Sequence, residues 1–193
     1  MRILANALAL SLLLAGTTST VAQQPKDKPK ENAKETIGDR VVAFCKKHKG
    51  EKVGDGQCAA LAIAALQDSG AKKRGGPDAP NDGDYVWGEL VFTLEITSKG
   101  PKATGKVDAI KPGDIIQFRD SKWVTVLGNR TSSTTALHHT AVVATVDKKS
   151  NMLGIYEQNS NGKKIVSESV LRLNDLREGR IRIYRPIALE SKD

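Results

Sequence analysis

Between Val53 and Leu61 the chain reads Val-Gly-Asp-Gly-Gln-Cys-Ala-Ala-Leu, a glycine turn that opens directly into an apolar helical run. From Gln57 to Ser69 almost every residue is Ala, Leu or Ile, and Gly70 closes the segment. A helix that is apolar around most of its circumference has to be buried on most sides. The rest of the chain must therefore supply a surface that covers it. Asp55 is the predicted N-cap. Cys58 then falls in the first helical turn, where unpaired backbone N–H groups and the positive end of the helix dipole favour a thiolate.

A first helix is predicted from Glu35 to Lys49. Ile37, Val41, Phe44, Cys45 and His48 recur there at three- and four-residue spacing, and Gly50 ends it. Ala71 to Asp84 is a loop of Gly, Pro, Asp and Asn. Strand signals follow at Leu90 to Ile96, Ile115 to Phe118, Trp123 to Leu127, His139 to Val146, Leu153 to Gln158, Lys163 to Ser169 and Arg180 to Tyr184. Gly128 to Leu137 reads as a polar loop, Lys111 to Asp114 as a turn, and Asn161-Gly162 as a hairpin signal. Helices come first and an antiparallel meander follows, so the fold class is α+β.

The 193 residues suffice for one domain and a leader. Arg2, the apolar run Ile3 to Leu14 and the small residue Ala22 give a signal peptide over residues 1–22. Residues 23–36, rich in Lys, Glu, Gln and Pro, read as a disordered polar linker, and residues 37–189 as the folded domain. The apolar run is too short to span a bilayer, and Thr17 stands where a lipidated cysteine would be. A secreted or periplasmic monomer without a stable membrane anchor is expected. The net charge of +8 fits plain solubility or attraction to an anionic polymer such as a cell wall. Only 4% of residues are aromatic and no basic run is interleaved with them, so nucleic acid is not an expected partner. No cofactor is expected: Cys58, His138 and His139 lack the close spacing of a zinc site.

What remains is a thiol, an imidazole and a polar strand end in one chain. Cys58, His139 and Glu157-Gln158-Asn159 can supply a nucleophile, a base and a group that orients the base. A hairpin turning near Lys148 to Ser150 brings Glu157 and Asn159 beside His139 on one face, and either could hold the ring. Gln57 could stabilise an oxyanion through its amide or through the backbone at Cys58, and Gly54 and Gly56 would let a substrate approach. Each residue also has a plainer role. Cys45 and Cys58 could form a disulfide closing a loop of about 13 residues, which would remove the nucleophile. Trp87 and Trp123 read first as core residues. Only the joint order of the groups singles them out.

Gly56-Gln57-Cys58, Lys111-Pro112-Gly113-Asp114-Ile115, His139-Thr140-Ala141-Val142-Val143 and Glu157-Gln158-Asn159, in that order, resemble the CHAP family. These are cysteine- and histidine-dependent amidohydrolases/peptidases. The likeness runs from Val53 to Asn159. It implies a papain-like fold, Cys58 as nucleophile, His139 as base, and Glu157 or Asn159 as the orienting group. It also implies Gln57 at the oxyanion, Gly56 and Trp87 along the substrate cleft, and a cell-wall peptide as the amide substrate. The chain departs from the pattern where Ala59 and Ala60 follow the cysteine, and the doublet His138-His139 offers two imidazoles. His139 is favoured because it directly precedes Thr-Ala-Val-Val. The run Gly54 to Cys58, with Asp84-Tyr85-Val86-Trp87-Gly88, is also similar to a narrower papain-like branch that ends some fungal actin-patch scaffold proteins. Peptidoglycan does not follow as substrate for that branch. A non-catalytic domain of the same fold, binding a glycopeptide or a protein, is the alternative.

Overall fold

The computed structural model describes residues 34–72 and 84–190. The signal-peptide segment and residues 23–33 of the linker lie outside the described residues. Thr36, expected to end the linker, instead begins the fold. It caps helix α1 (Ile37–Lys47) with a capping box. Its Oγ1 accepts the Asp39 N–H at 3.1 Å, and Asp39 Oδ2 accepts the Thr36 N–H at 2.9 Å. Val41 and Cys45 are the buried residues of its apolar face.

Helix α2 (Cys58–Asp68) follows the glycine turn. Its N-cap is Gln57, not Asp55. Asp55 Oδ1 accepts the Gln57 N–H at 2.9 Å and so shapes the loop one step earlier. Cys58 is therefore the first helical residue. Leu61, Ala62, Ala65 and Leu66 are buried, as an all-round apolar helix requires. No helix among the described residues is long and apolar enough to cross a membrane.

The strands among the described residues are β1 (Glu89–Thr97), β2 (Gly100–Thr104), β3 (Ile115–Leu127), β4 (Arg130–Asp147), β5 (Met152–Glu157), β6 (Ser167–Arg172) and β7 (Leu176–Arg185). They form one seven-stranded sheet in the order β2-β1-β7-β3-β4-β5-β6, with every neighbouring pair antiparallel. Two helices beside a large antiparallel sheet keep the order of helices first, strands after.

Four sequence expectations need correcting. The two strands predicted within residues 115–127 are one strand, bent where Asp120 takes φ 46° and the ladder with β7 shifts register. Ser121 Oγ bridges the bend by donating to the carbonyls of Arg119 and Arg180. Residues 130–137, expected as loop, are the first half of β4 and pair with the far end of β3. Their Thr and Ser side chains suit a strand but give no apolar alternation. β2 gave no signal because Gly, Pro and Lys fill an edge strand. β6 begins at Ser167 rather than Lys163. Just before it, Val166 pairs with the segment between the helices, its N–H reaching the Glu51 carbonyl at 2.8 Å.

Both faces of the sheet are buried. Ile115, Val142, Tyr156 and Tyr184 face the helices and pack with Cys45, Leu61, Leu66 and Trp87. Their sequence neighbours Ile116, Val143, Ile155 and Ile183 face the other way, into a second cluster. The period-two alternation thus serves two cores at once. Gly113 ties α1 to this sheet. Its backbone N–H donates to the Val143 carbonyl at 2.8 Å, its φ is +86°, and an added Cβ would lie 2.3 Å from Gly38 Cα. Gly113→Ala is expected to lower the unfolding free energy by about 2–3 kcal/mol, combining a left-handed penalty with displacement of α1. Urea denaturation of the variant would show it as a lower midpoint at unchanged slope.

Candidate active site

Three elements bring the reactive groups together. α2 presents Cys58 at its N-terminus. β4 carries His139 in its interior, not at its start, because the strand reaches back to Arg130. β5 ends on Glu157, which faces Ala141 across the β4–β5 ladder. On that register, the His139 ring and the Glu157 carboxylate meet, with Nε2 to Oε2 at 2.9 Å. Nδ1 is then the ring nitrogen left for Cys58, and the two side chains are hydrogen-bonded. The rings of Phe118 and His139 stack at a tilt, 5.5 Å between centroids. Glu157 spends its other oxygen on Ser169, whose Oγ donates to Oε1 at 2.7 Å.

The electrostatics follow. Burial raises the Cys58 pKa, but hydrogen bonding and charge from His139, with backbone groups of Thr140 and Ala59, outweigh it and leave the thiol below its ordinary value. Burial lowers His139, but its bonds to Cys58 and Glu157 win and raise it from 6.5 to about 9. Burial raises Glu157, and the bonds to His139 and Ser169 more than reverse that, so it stays ionised. These shifts all favour the charged forms: thiolate, imidazolium and carboxylate. Cys45 shows the contrast. Buried on α1 with no such partner, it is pushed up to about 12. Both cysteines are free thiols, so the disulfide alternative is not realised.

Asn159 does not hold the imidazole. It takes φ +62°, which breaks the strand alternation, and its Nδ2 donates to Gln57 Oε1 at 2.9 Å. That bond occupies the oxygen of the Gln57 amide and leaves its Nε2 to donate elsewhere. Trp87 does not line the cleft. It is 1% exposed, and its indole N–H donates to Gln117 Oε1 at 3.1 Å. Gly56 adopts φ +85°, and a Cβ there would come within 2.9 Å of Lys164. It is a packing position in the loop. His138 points to the opposite face of β4 and lies 3.3 Å from buried Asp84, among Arg119, Arg180 and Arg182. Among the described residues no group of three or more His, Cys, Asp or Glu side chains is arranged to hold a metal ion.

One residue was missed by sequence reasoning. Gln158 is 0% exposed. Its Oε1 accepts the Val53 N–H at 2.8 Å, and its Nε2 donates to the carbonyls of Val53 at 3.0 Å and Gln57 at 2.9 Å. It clamps the loop that ends on Cys58. A polar side chain between two candidate site residues was the available signal.

A family model described as the AIM3/BBC1 cysteine proteinase-fold domain matches residues 17–192. The chain belongs to this family. The AIM3/BBC1 domain has the papain-like fold expected from the resemblance. A curated relative, "Altered inheritance of mitochondria protein 3" of Debaryomyces hansenii, is 30% identical over 154 residues. That match covers 78% of this chain but 16% of the relative, so the AIM3/BBC1 domain spans about a sixth of that protein's length. Two solved structures of Ly7917, one alone and one with the hydrolyzing product of MDP, are similar at TM-scores of 0.45 and 0.44. They are 19% and 20% identical, over 77% and 78% of this chain and 62% and 63% of theirs.

Two outcomes are expected. Iodoacetamide should alkylate Cys58 well below the ordinary thiol pKa while Cys45 stays inert, and His139→Ala should move Cys58 labelling to higher pH, because only burial and backbone bonds then act on it. Peptide mass mapping of each cysteine across a pH series checks this. Gln158→Leu should destabilise the domain by about 2–3 kcal/mol, since buried backbone groups of Val53 and Gln57 lose their partner. Amide hydrogen exchange should show the loosening first at residues 53–58.

Proposed function

We propose that this domain is a cysteine hydrolase that cleaves an amide bond by acyl transfer through Cys58. The hydrogen-bonded line Cys58–His139–Glu157, at the N-terminus of a buried helix, carries the proposal. The Cys58 thiolate attacks the carbonyl carbon, and the charge that builds on oxygen meets the Cys58 backbone N–H and the Gln57 Nε2 donor. Gln57 makes no side-chain cap bond to the helix; the Ala60 N–H is taken by the Gln57 carbonyl and the Ala59 backbone by Cys58, so the Cys58 N–H is the first-turn donor offered to a substrate oxygen. The His139 imidazolium gives its proton to the leaving nitrogen, and an amine departs. Water then attacks the thioester, His139 takes its proton, and the acid leaves as Cys58 is regenerated. Glu157 holds the ring and stabilises its charge.

The CHAP resemblance favours a peptide substrate. The leader-like sequence of residues 1–22 and the net charge of +8 favour an exported protein drawn to an anionic wall polymer, and so a cell-wall peptide. A second reading, a non-catalytic binding domain, rests on the AIM3 relative, whose name concerns mitochondrial inheritance and of which the matching stretch is 16%.

Purified wall material and synthetic peptide amides, assayed for released amine, separate the two. Cys58→Ala should abolish hydrolysis, and unchanged release in that variant would sink the hydrolase. Glu157→Gln should cost roughly tenfold or more in kcat. The wild-type rate should fall above about pH 9 as His139 loses its proton. In Glu157→Gln that limb should move to lower pH, because Glu157 is one of the groups that raise His139.

A further inference from the structure

His139 and Glu157 also line a cavity of about 650 Å³ walled by β3, β4, β5 and β6; Cys58 is not in its lining. Its floor is Phe118, Trp123, Ile155 and Leu171, all buried. Its rim carries Leu137 and Val170, which are 72% and 63% exposed. The cavity therefore opens to solvent on apolar side chains and runs inward to the base of the proposed reaction.

Two lining groups lack partners. Trp123 is 6% exposed, yet its indole N–H has no hydrogen-bond partner among the described residues. A buried donor left unpaired costs about 1–3 kcal/mol, so such a group calls for an acceptor. Arg172, half-buried in the same lining, has no carboxylate within ion-pair distance among the described residues. The carboxylate that does face the cavity, Glu157, is already held by His139 and Ser169. An apolar floor with a neutral donor, a cation and no spare anion fits a group that is apolar in body and accepting at one end.

We infer that this cavity is the substrate subsite, and that it takes a peptide residue with a large apolar side chain whose adjoining carbonyl or carboxylate oxygen accepts from Trp123 and Arg172. Lysine-like side chains are disfavoured by Arg172, and short acidic ones by the apolar floor. The word substrate rests on the hydrolase proposal; the ligand chemistry does not.

The test uses the full chain carrying Cys58→Ala, so that binding is read without turnover. The probes are N-acetyl dipeptides ending in Leu, Phe, Asp or Lys as free acids, and the Leu dipeptide as its amide. The chain has two tryptophans, and Trp87 is sealed in the helix-side core, so fluorescence reports on Trp123. The Leu and Phe peptides should change the emission saturably and bind at least about tenfold more tightly than the Asp and Lys peptides. By calorimetry, Trp123→Phe, which keeps the ring and removes the donor, should weaken the Leu peptide about fivefold. Arg172→Gln should weaken the acid about tenfold. Equal loss of the amide in Arg172→Gln marks an internal carbonyl as the acceptor, and loss of the acid alone marks a chain-end carboxylate. Absence of saturable binding by any peptide, a preference for Lys, or affinity indifferent to both substitutions would overturn the subsite. Peptide binding here without wild-type hydrolysis would overturn the hydrolase and leave the subsite standing. Hydrolysis without peptide binding would do the reverse.

Discussion

The register of β4 against β5 is the constraint on which the site depends. Ala141 faces Glu157, which sets His139 two residues along β4 and within diagonal reach of the carboxylate. A slip of one residue would turn Glu157 toward the helices and leave the imidazole without its partner. Besides the His139–Glu157 bond itself, apolar packing holds that register. Val142 opposite Tyr156 is buried on the helix face, and Val143 opposite Ile155 on the other face. With both faces covered, a slip would exchange every side chain of two cores. The same burial seats α2, through Leu61, Ala62, Ala65 and Leu66, and so sets where Cys58 stands. The distances of the chemistry are inherited from hydrophobic packing.

After Glu157 the chain leaves the ladder, and three consecutive residues hold three different parts of the site. Glu157 faces His139, Gln158 turns inward to the backbone of Val53 and Gln57, and Asn159 in a left-handed conformation reaches the Gln57 side chain. The loop before Cys58 and the strand end after Glu157 are thus one hydrogen-bonded unit. Each bond alone contributes about 1 kcal/mol net. Their joint effect is to limit how far the loop moves relative to the imidazole, which matters more for the proposed acyl transfer than their sum does for stability.

How far the sequence revealed this depended on which physical signal each part carries. α1 and α2 were legible because their apolar spacing and the glycines after them are local facts. The inner strands β4, β5 and β7 were legible through apolar residues around His139, Ile155 and Ile181. Residues 130–137 were not, since a solvated hairpin arm of Thr and Ser has no buried face to alternate with. That Cys58, His139 and Glu157 come together was legible from their order, but the choice between Glu157 and Asn159 was not. Parity gave both the same face, and the left-handed Asn159 that breaks parity is a property of the following turn, where Asn161 and Gly162 also take positive φ. Trp87 was misplaced in the cleft because its partner, Gln117, is buried beside it, and a buried polar group offers no periodic trace.

The pairing of Cys58 with His139 also governs how the fold answers to pH. Taken singly, a His139 raised from 6.5 to about 9 stabilises the fold fully below 6.5 and loses that contribution as pH rises through about 9. A Cys58 held below its ordinary value of 9.0 stabilises fully above that value and loses its contribution as pH falls through its folded pKa. Together they offset. Between 6.5 and 9 the unfolded chain carries a neutral imidazole and a protonated thiol, while the folded pair is shifted toward imidazolium and thiolate. The proton the imidazole gains and the proton the thiol gives up act on stability with opposite signs, so each group reduces the slope the other would impose alone. The contact that lowers the thiol is the same one that raises the imidazole, so the fold favours the charged sulfur without the full pH dependence that either group would bring by itself.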